Sequence, residues 1–146
     1  MPEETIVIVG ASLAGAKAAE TLREERFGGR VVLIGAEVER PYERPPLSKG
    51  FLLGQEPREK AHVHEPDWYE RNRVELRLGT AVTGLDPSRR RVTLASGEEI
   101  GYDRLLLATG ASPRRLEVPG SRLQGLYYLR TMADSAALKQ ALAPGG

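Results

Sequence analysis

The 146-residue chain contains no cysteine, which excludes a disulfide framework, a thiolate metal site and a redox dithiol within it. No apolar run approaches ~18 residues, so no segment reads as a membrane-spanning helix. The acidic opening Met1-Pro2-Glu3-Glu4 does not read as a secretory signal, and the expected location is the cytoplasm. Charge of one sign is also in short supply. With 21 Lys and Arg against 20 Asp and Glu, the net charge is +1, which gives no reason to expect nucleic acid or an anionic membrane as a partner. Only two histidines occur, His62 and His64. Without a third ligand they read as solvated loop residues, and no metal is expected. Repeats and low-complexity linkers are missing, and the length predicts one domain over 1–146 that buries about two-thirds of its unfolded surface.

What is present is concentrated in the first forty residues. Thr5-Ile6-Val7-Ile8-Val9 is uncharged and largely β-branched, the composition of a strand buried on both faces. It runs into Gly10-Ala11-Ser12-Leu13-Ala14-Gly15 and then into an Ala-rich helical stretch, Ala14 to Arg26, which Gly28-Gly29 is expected to stop. Arg30 to Gly35 is a second buried strand, followed by Glu37. This is a βαβ unit whose first turn can hold a pyrophosphate. A helix N-terminus offers unpaired N–H groups and a partial positive charge. Gly10 permits the tight turn, and Gly15 lets the helix pack close to the sheet. An acid about 20 residues beyond the loop accepts hydrogen bonds from ribose hydroxyls. Glu37 meets that spacing, one residue later than Ala36 in the usual slot. Ser12 stands where the pattern has its middle glycine; its hydroxyl could donate to a phosphate. The alternative is a doubly wound domain that uses the turn only for packing.

Onward, three prolines in Pro41-Tyr42-Glu43-Arg44-Pro45-Pro46 predict a stiff extended loop that presents Arg44 and Lys49. A short helix is expected over Leu47–Leu53, ended by Gly54, and another over Pro66–Arg71, with Trp68 and Tyr69 at the core edge. Val74–Leu78, the stretch Gly79–Asp86, Arg90–Ala95 and Ile100–Asp103 read as an antiparallel meander. Arg89-Arg90-Arg91 reads as a solvated hairpin end. Tyr102–Gly110 reads as a buried strand ending in Ala108-Thr109-Gly110, small residues that admit a ligand at a sheet's carboxyl end. A loop over Pro113–Gly120, a short strand over Leu126–Arg130 and a helix from Met132 to about Leu142, capped by Thr131, complete the chain.

The pattern from the first strand through Pro-Tyr-Glu-Arg-Pro-Pro-Leu-Ser-Lys resembles the N-terminal FAD-binding part of NAD(P)H-dependent ferredoxin reductases. These are the putidaredoxin and rubredoxin type, the branch of the pyridine nucleotide-disulfide oxidoreductase superfamily that lacks the redox disulfide. The resemblance implies a Rossmann-like, three-layer α/β fold: a parallel sheet, helices and an antiparallel meander, incomplete relative to the whole enzyme. It implies FAD as cofactor, with Gly10, Ser12, Leu13, Ala14 and Gly15 at the pyrophosphate and Glu37 at the adenosine ribose. The backbone at Val82 would meet the adenine. Arg44, Pro45 and Lys49 would form a cofactor-contacting wall, and Ala108, Thr109, Gly110 and Arg130 would complete the contacts. Lys49 would lie nearest the isoalloxazine ring as the catalytic candidate, paired in the family with an acid absent here.

The implied whole enzyme passes electrons from NAD(P)H through FAD to a 2Fe-2S ferredoxin or rubredoxin. Its NAD(P)-binding and C-terminal interface domains are not in this sequence, so the chain alone is expected to be inactive and to self-associate through surface those domains would cover. A non-catalytic module that binds FAD or NAD, and a cofactor-free fragment, are the alternative readings.

Overall fold

A computed structural model describes residues 3–143; the expectations on Met1, Pro2 and the terminal Pro144-Gly145-Gly146 lie outside the described residues. The chain divides into two units, Met1–Tyr42 with His62–Gly110 and Glu43–Ala61 with Ala111–Gly146.

The first unit is built on a parallel sheet. Strands β1 (Thr5–Val9) and β2 (Arg30–Ile34) flank helix α1 (Leu13–Glu24) in the chain, and β3 (Val74–Arg77) and β7 (Arg104–Leu107) complete the order β3-β2-β1-β7. All three pairings are parallel, with Ile6 opposite Val31 and Arg104, and Val31 opposite Val74. The alternation along β1 and β2 sends side chains to two cores. Ile6, Ile8, Val31 and Leu33 pack with Ala19 of α1 and with Tyr69 of the short helix α2 (Trp68–Arg71). Val7, Val9, Val32 and Ile34 face Val92, Leu94 and Ile100. Those last three belong to the antiparallel sheet β4-β5-β6 (Val82–Asp86, Arg91–Leu94, Glu99–Gly101). The result is the expected three-layer arrangement of helices, parallel sheet and meander. Each fully buried Val, Leu or Ile side chain contributes on the order of 1.5–3 kcal/mol.

Four local expectations in this unit are corrected. Val74–Arg77 is not part of the meander but the parallel partner of β2; its alternating pattern suits a sheet edge of either kind. The strand before Ala108 is not buried: Leu106 and Leu107 are 40% and 58% exposed. Strand β7 ends the sheet, pairing with β1 alone among the described residues. Beside it runs an apolar groove of about 470 Å³ lined by Ile6, Ile8, Ala18, Leu22, Leu105 and Leu106. Helix α1 stops before the glycines, because Arg26 adopts φ 61° and closes the end. Phe27 N–H donates to Leu22 O at 2.9 Å and Arg26 N–H to Arg23 O at 3.1 Å, a Schellman pair with arginine at the left-handed position. Finally, the histidines are not solvated: the side chains of His62 and His64 are 7% and 8% exposed.

In the second unit the proline loop does not stay extended. Pro45–Ser48 forms a 3₁₀ turn with prolines in its first positions, and Arg58–Ala61 forms another. Proline at a helix start lacks only an N–H that has no partner there, so the residues that forbid a longer helix permit this turn. The helix expected over Leu47–Leu53 does not form: residues 49–54 are successive turns, and Gly54 leaves them at φ +72°. Leu126–Arg130 is not a strand, since this unit offers no sheet for it to pair with among the described residues. Helix α3 (Met132–Ala141) carries the predicted Thr131 cap, completed by Asp134 into a capping box. Its buried Ser135 hydroxyl donates to Leu47 O at 2.6 Å. Among the described residues no helix is long and apolar enough to cross a membrane.

Candidate functional site

The chain leaves β1 through Gly10 at φ +120°. A methyl group on Gly10 would strike the Ala108 carbonyl, and one on Gly15 would strike the Gly10 carbonyl. Both glycines are therefore required by backbone packing, whatever else the turn does, and Gly10 joins the turn to the Ala-Thr-Gly end of β7. Ser12 is extended at φ −124°, ψ −162°, an ordinary conformation for serine, and its side chain makes no capping hydrogen bond. The first helical bond runs from Ala16 N–H to Ser12 O at 2.9 Å, so the N–H groups of Leu13, Ala14 and Gly15 precede the ladder. No acid stands in the first turn of α1, and nothing there opposes an anion at the positive end of the helix dipole.

Glu37 comes from the loop after β2. Its backbone is pinned from the β3 exit, where Gly79 N–H donates to Glu37 O at 2.8 Å and Thr80 N–H to Gly35 O at 2.9 Å. Gly10 N–H donates to Ile34 O at 2.8 Å, which ties the glycine turn to the strand that delivers the acid. The structure thus brings Gly10–Gly15, Glu37 and Ala108–Gly110 to one end of one parallel sheet. Gly110 turns away at φ +70°, and Thr109 is exposed. Val82 lies at an irregularity of β4, where the register with β5 shifts between Val82 and Gly84. Sequence reasoning gave no separate role to Tyr42, whose phenol donates to Glu37 Oε2 at 2.5 Å. Its position five residues beyond the acid was the available signal.

The remaining candidates belong to the second unit. Arg44 Nη1 donates to Arg130 O at 2.7 Å, so those two are together. The Arg130 and Thr131 N–H groups both donate to Asp134 Oδ2, at 3.0 and 2.8 Å. Burial disfavours the Asp134 charge, but the Thr131 and Arg130 donors outweigh it and hold the carboxyl below its ordinary value. Pro45 and Lys49 are exposed. Among the described residues no set of three His, Cys, Asp or Glu is placed to hold a metal.

Comparison with known proteins places this geometry in context. The family model described as pyridine nucleotide-disulphide oxidoreductase matches residues 4–145. The ferredoxin–NAD(+) reductase component of the biphenyl dioxygenase system of Paraburkholderia xenovorans (strain LB400) is 45% identical over 142 residues, 97% of this chain and 35% of that protein. The rubredoxin-NAD(+) reductase of Pseudomonas putida is 42% identical over 137 residues, 94% of this chain and 36% of its own length. The reductase in the covalent putidaredoxin reductase–putidaredoxin complex superposes with a TM-score of 0.91 at 35% identity, covering 97% of this chain and 34% of that one. The chain thus spans about a third of the length of these relatives.

Proposed function

The chain belongs to the pyridine nucleotide-disulphide oxidoreductase family, and from that membership we propose that it is the FAD-binding portion of a reductase carrying electrons from NAD(P)H to a ferredoxin or rubredoxin. The observation that carries the reading is the joint placement of a helix N-terminus free of acids and the Glu37 carboxylate at the carboxyl end of one parallel sheet. The residues fit the group. The N–H groups of Leu13, Ala14 and Gly15, with the Ser12 hydroxyl, would meet the pyrophosphate, and Glu37 would accept from the adenosine ribose. Ala108-Thr109-Gly110 and the backbone at Val82 would border the same ligand. In the second unit, Lys49 would counter negative charge at the flavin ring, with Arg44, Pro45 and Arg130 in support; these four assignments, like that of Val82, rest on the family resemblance. Bound FAD would supply hydride acceptance from the nicotinamide and one-electron release to the iron protein.

The test is a titration of the protein with FAD and, separately, NADH, following flavin absorbance and the fluorescence of the only tryptophan, Trp68. Saturable FAD binding is expected, weakened by about tenfold or more in Glu37→Ala through loss of charge-assisted hydrogen bonds. Lys49→Ala is expected to shift the bound flavin spectrum. Preference for NADH over FAD would overturn the cofactor assignment.

A further inference from the structure

The loop that carries Glu37 is held from behind by side chains to which the cofactor reading assigns no task. Tyr42 is 2% exposed, and its bond to Glu37 Oε2, at 2.5 Å, has the length of a hydroxyl donating to a carboxylate. Tyr42 is itself fixed at the backbone. It forms an antiparallel bridge with His62, and the neighbouring Val63 N–H donates to Pro41 O at 2.9 Å.

The His62 imidazole then closes the loop on itself. A guanidinium only donates, and Arg40 Nη2 lies 3.0 Å from His62 Nδ1. Nδ1 is therefore the acceptor, and the ring hydrogen sits on Nε2, which donates to Glu39 Oε1 at 2.6 Å. A second Arg40 nitrogen donates to His64 O at 3.0 Å. Residues 37 to 42 are thereby tied to 62 to 64 through backbone and side chains together, and the tie ends on the acid.

We propose that Tyr42, braced by His62, is a positioning residue that presets the Glu37 carboxylate to receive the two vicinal hydroxyls of a nucleotide ribose. The proposal rests on the dinucleotide reading above and adds to it the device that orients the acid. A glutamate side chain loses much rotamer freedom when a ligand orders it. One oxygen anchored to a buried phenol removes that cost before binding, which is how a supporting residue raises affinity without touching the ligand.

The experiment uses Tyr42→Phe, which keeps the buried ring and deletes only the hydroxyl. Binding of ADP and of 2′,3′-dideoxy-ADP, which lacks both ribose hydroxyls, is measured by calorimetry in four backgrounds: the parent, Tyr42→Phe, Glu37→Gln and the double variant. The expected result is a loss of about tenfold for ADP in Tyr42→Phe, the scale of one charge-assisted hydrogen bond. Dideoxy-ADP should be unaffected, and no further loss should appear when Tyr42→Phe is added to Glu37→Gln. Equal losses for both nucleotides would mark a merely structural tyrosine and overturn the proposal. So would an unchanged ADP affinity in Tyr42→Phe while Glu37→Gln weakens it, and that outcome leaves the dinucleotide reading standing. A parent that does not distinguish ADP from its dideoxy form would sink the ribose assignment of Glu37, and the proposal with it. If Tyr42→Phe fails to melt cooperatively, His62→Ala carries the test, with the same selective loss for ADP expected and an equal loss for both nucleotides overturning the proposal.

Discussion

His64 stacks on Trp68 with ring centroids 3.8 Å apart and planes at 12°, and its Nε2 lies 3.6 Å from Glu20 Oε2. Burial pushes the imidazole below its ordinary value, and Glu20 opposes that shift without cancelling it. In the unfolded chain the same histidine takes up a proton near pH ~6.5. Below that pH, and until the lower folded value is reached, the unfolded state holds more protons. The stability His64 contributes is thus present above ~6.5 and lost as the solution is acidified. Urea unfolding midpoints should fall between about pH 7 and about pH 5, and His64→Phe, which keeps the stack, should flatten that fall. An identical slope in the variant would remove the histidine as its cause. This burial was not legible in the sequence. A loop bounded by Glu65 and Pro66 suggests solvent, and only the packing of Trp68 and Tyr69 against the sheet shows otherwise. The place of Glu37 just beyond β2 was legible because its distance from the glycine turn is set by the length of α1 and β2. The phenol that grips it was not, since the direction of a loop side chain has no periodicity to reveal it.

At the scale of elements, β1 and β2 could be read because strands buried on both faces show unbroken apolar runs. Strand β7 shows the same run in Leu105-Leu106-Leu107 yet lies half open, because apolarity records what a strand is suited to pack against and not what is beside it. Leu126-Tyr127-Tyr128-Leu129 has strand composition without a ladder, and Tyr128 spends its hydroxyl accepting from Leu116 N–H at 2.8 Å. Helix α3 was legible to its cap, because threonine is favoured where its oxygen can accept from a first-turn N–H; the part of Asp134 in the capping box emerged only from the structure. The end of α1 was misplaced for a reason that can be measured. Arg26 occupies the left-handed position that glycine fills most readily. Replacing it should relieve backbone strain, and Arg26→Gly is expected to stabilise the protein by roughly 0.5–1 kcal/mol, seen as a higher urea midpoint at unchanged slope. A lower midpoint would mean that the arginine side chain contributes more than its backbone costs.

For the molecule as a whole, the near balance of charge and the lack of cysteine leave packing as the main source of stability, and the first unit places it on both faces of one sheet. The order β3-β2-β1-β7 also has a history in time. Strand β1 meets β2 through one short helix, but its other neighbour is remote. Thr5 N–H donates to Asp103 Oδ2 across 98 residues of chain, and closing so long a loop is entropically costly and slow. At a synthesis rate of ~5–20 residues per second, roughly 5–20 s separate the appearance of β1 from that of β7. For those seconds Ile6 and Ile8 stand beside an unpaired strand edge, the kind of surface that recruits other chains. Pulse-labelling hydrogen exchange during refolding should accordingly find the amides of β7 protected after those of β2, and simultaneous protection would show that β7 docks with the nucleus. The last strand to arrive is also the one whose Ala108 carbonyl fills the space beside Gly10, so the turn that opens the molecule is among the last parts of it to be finished.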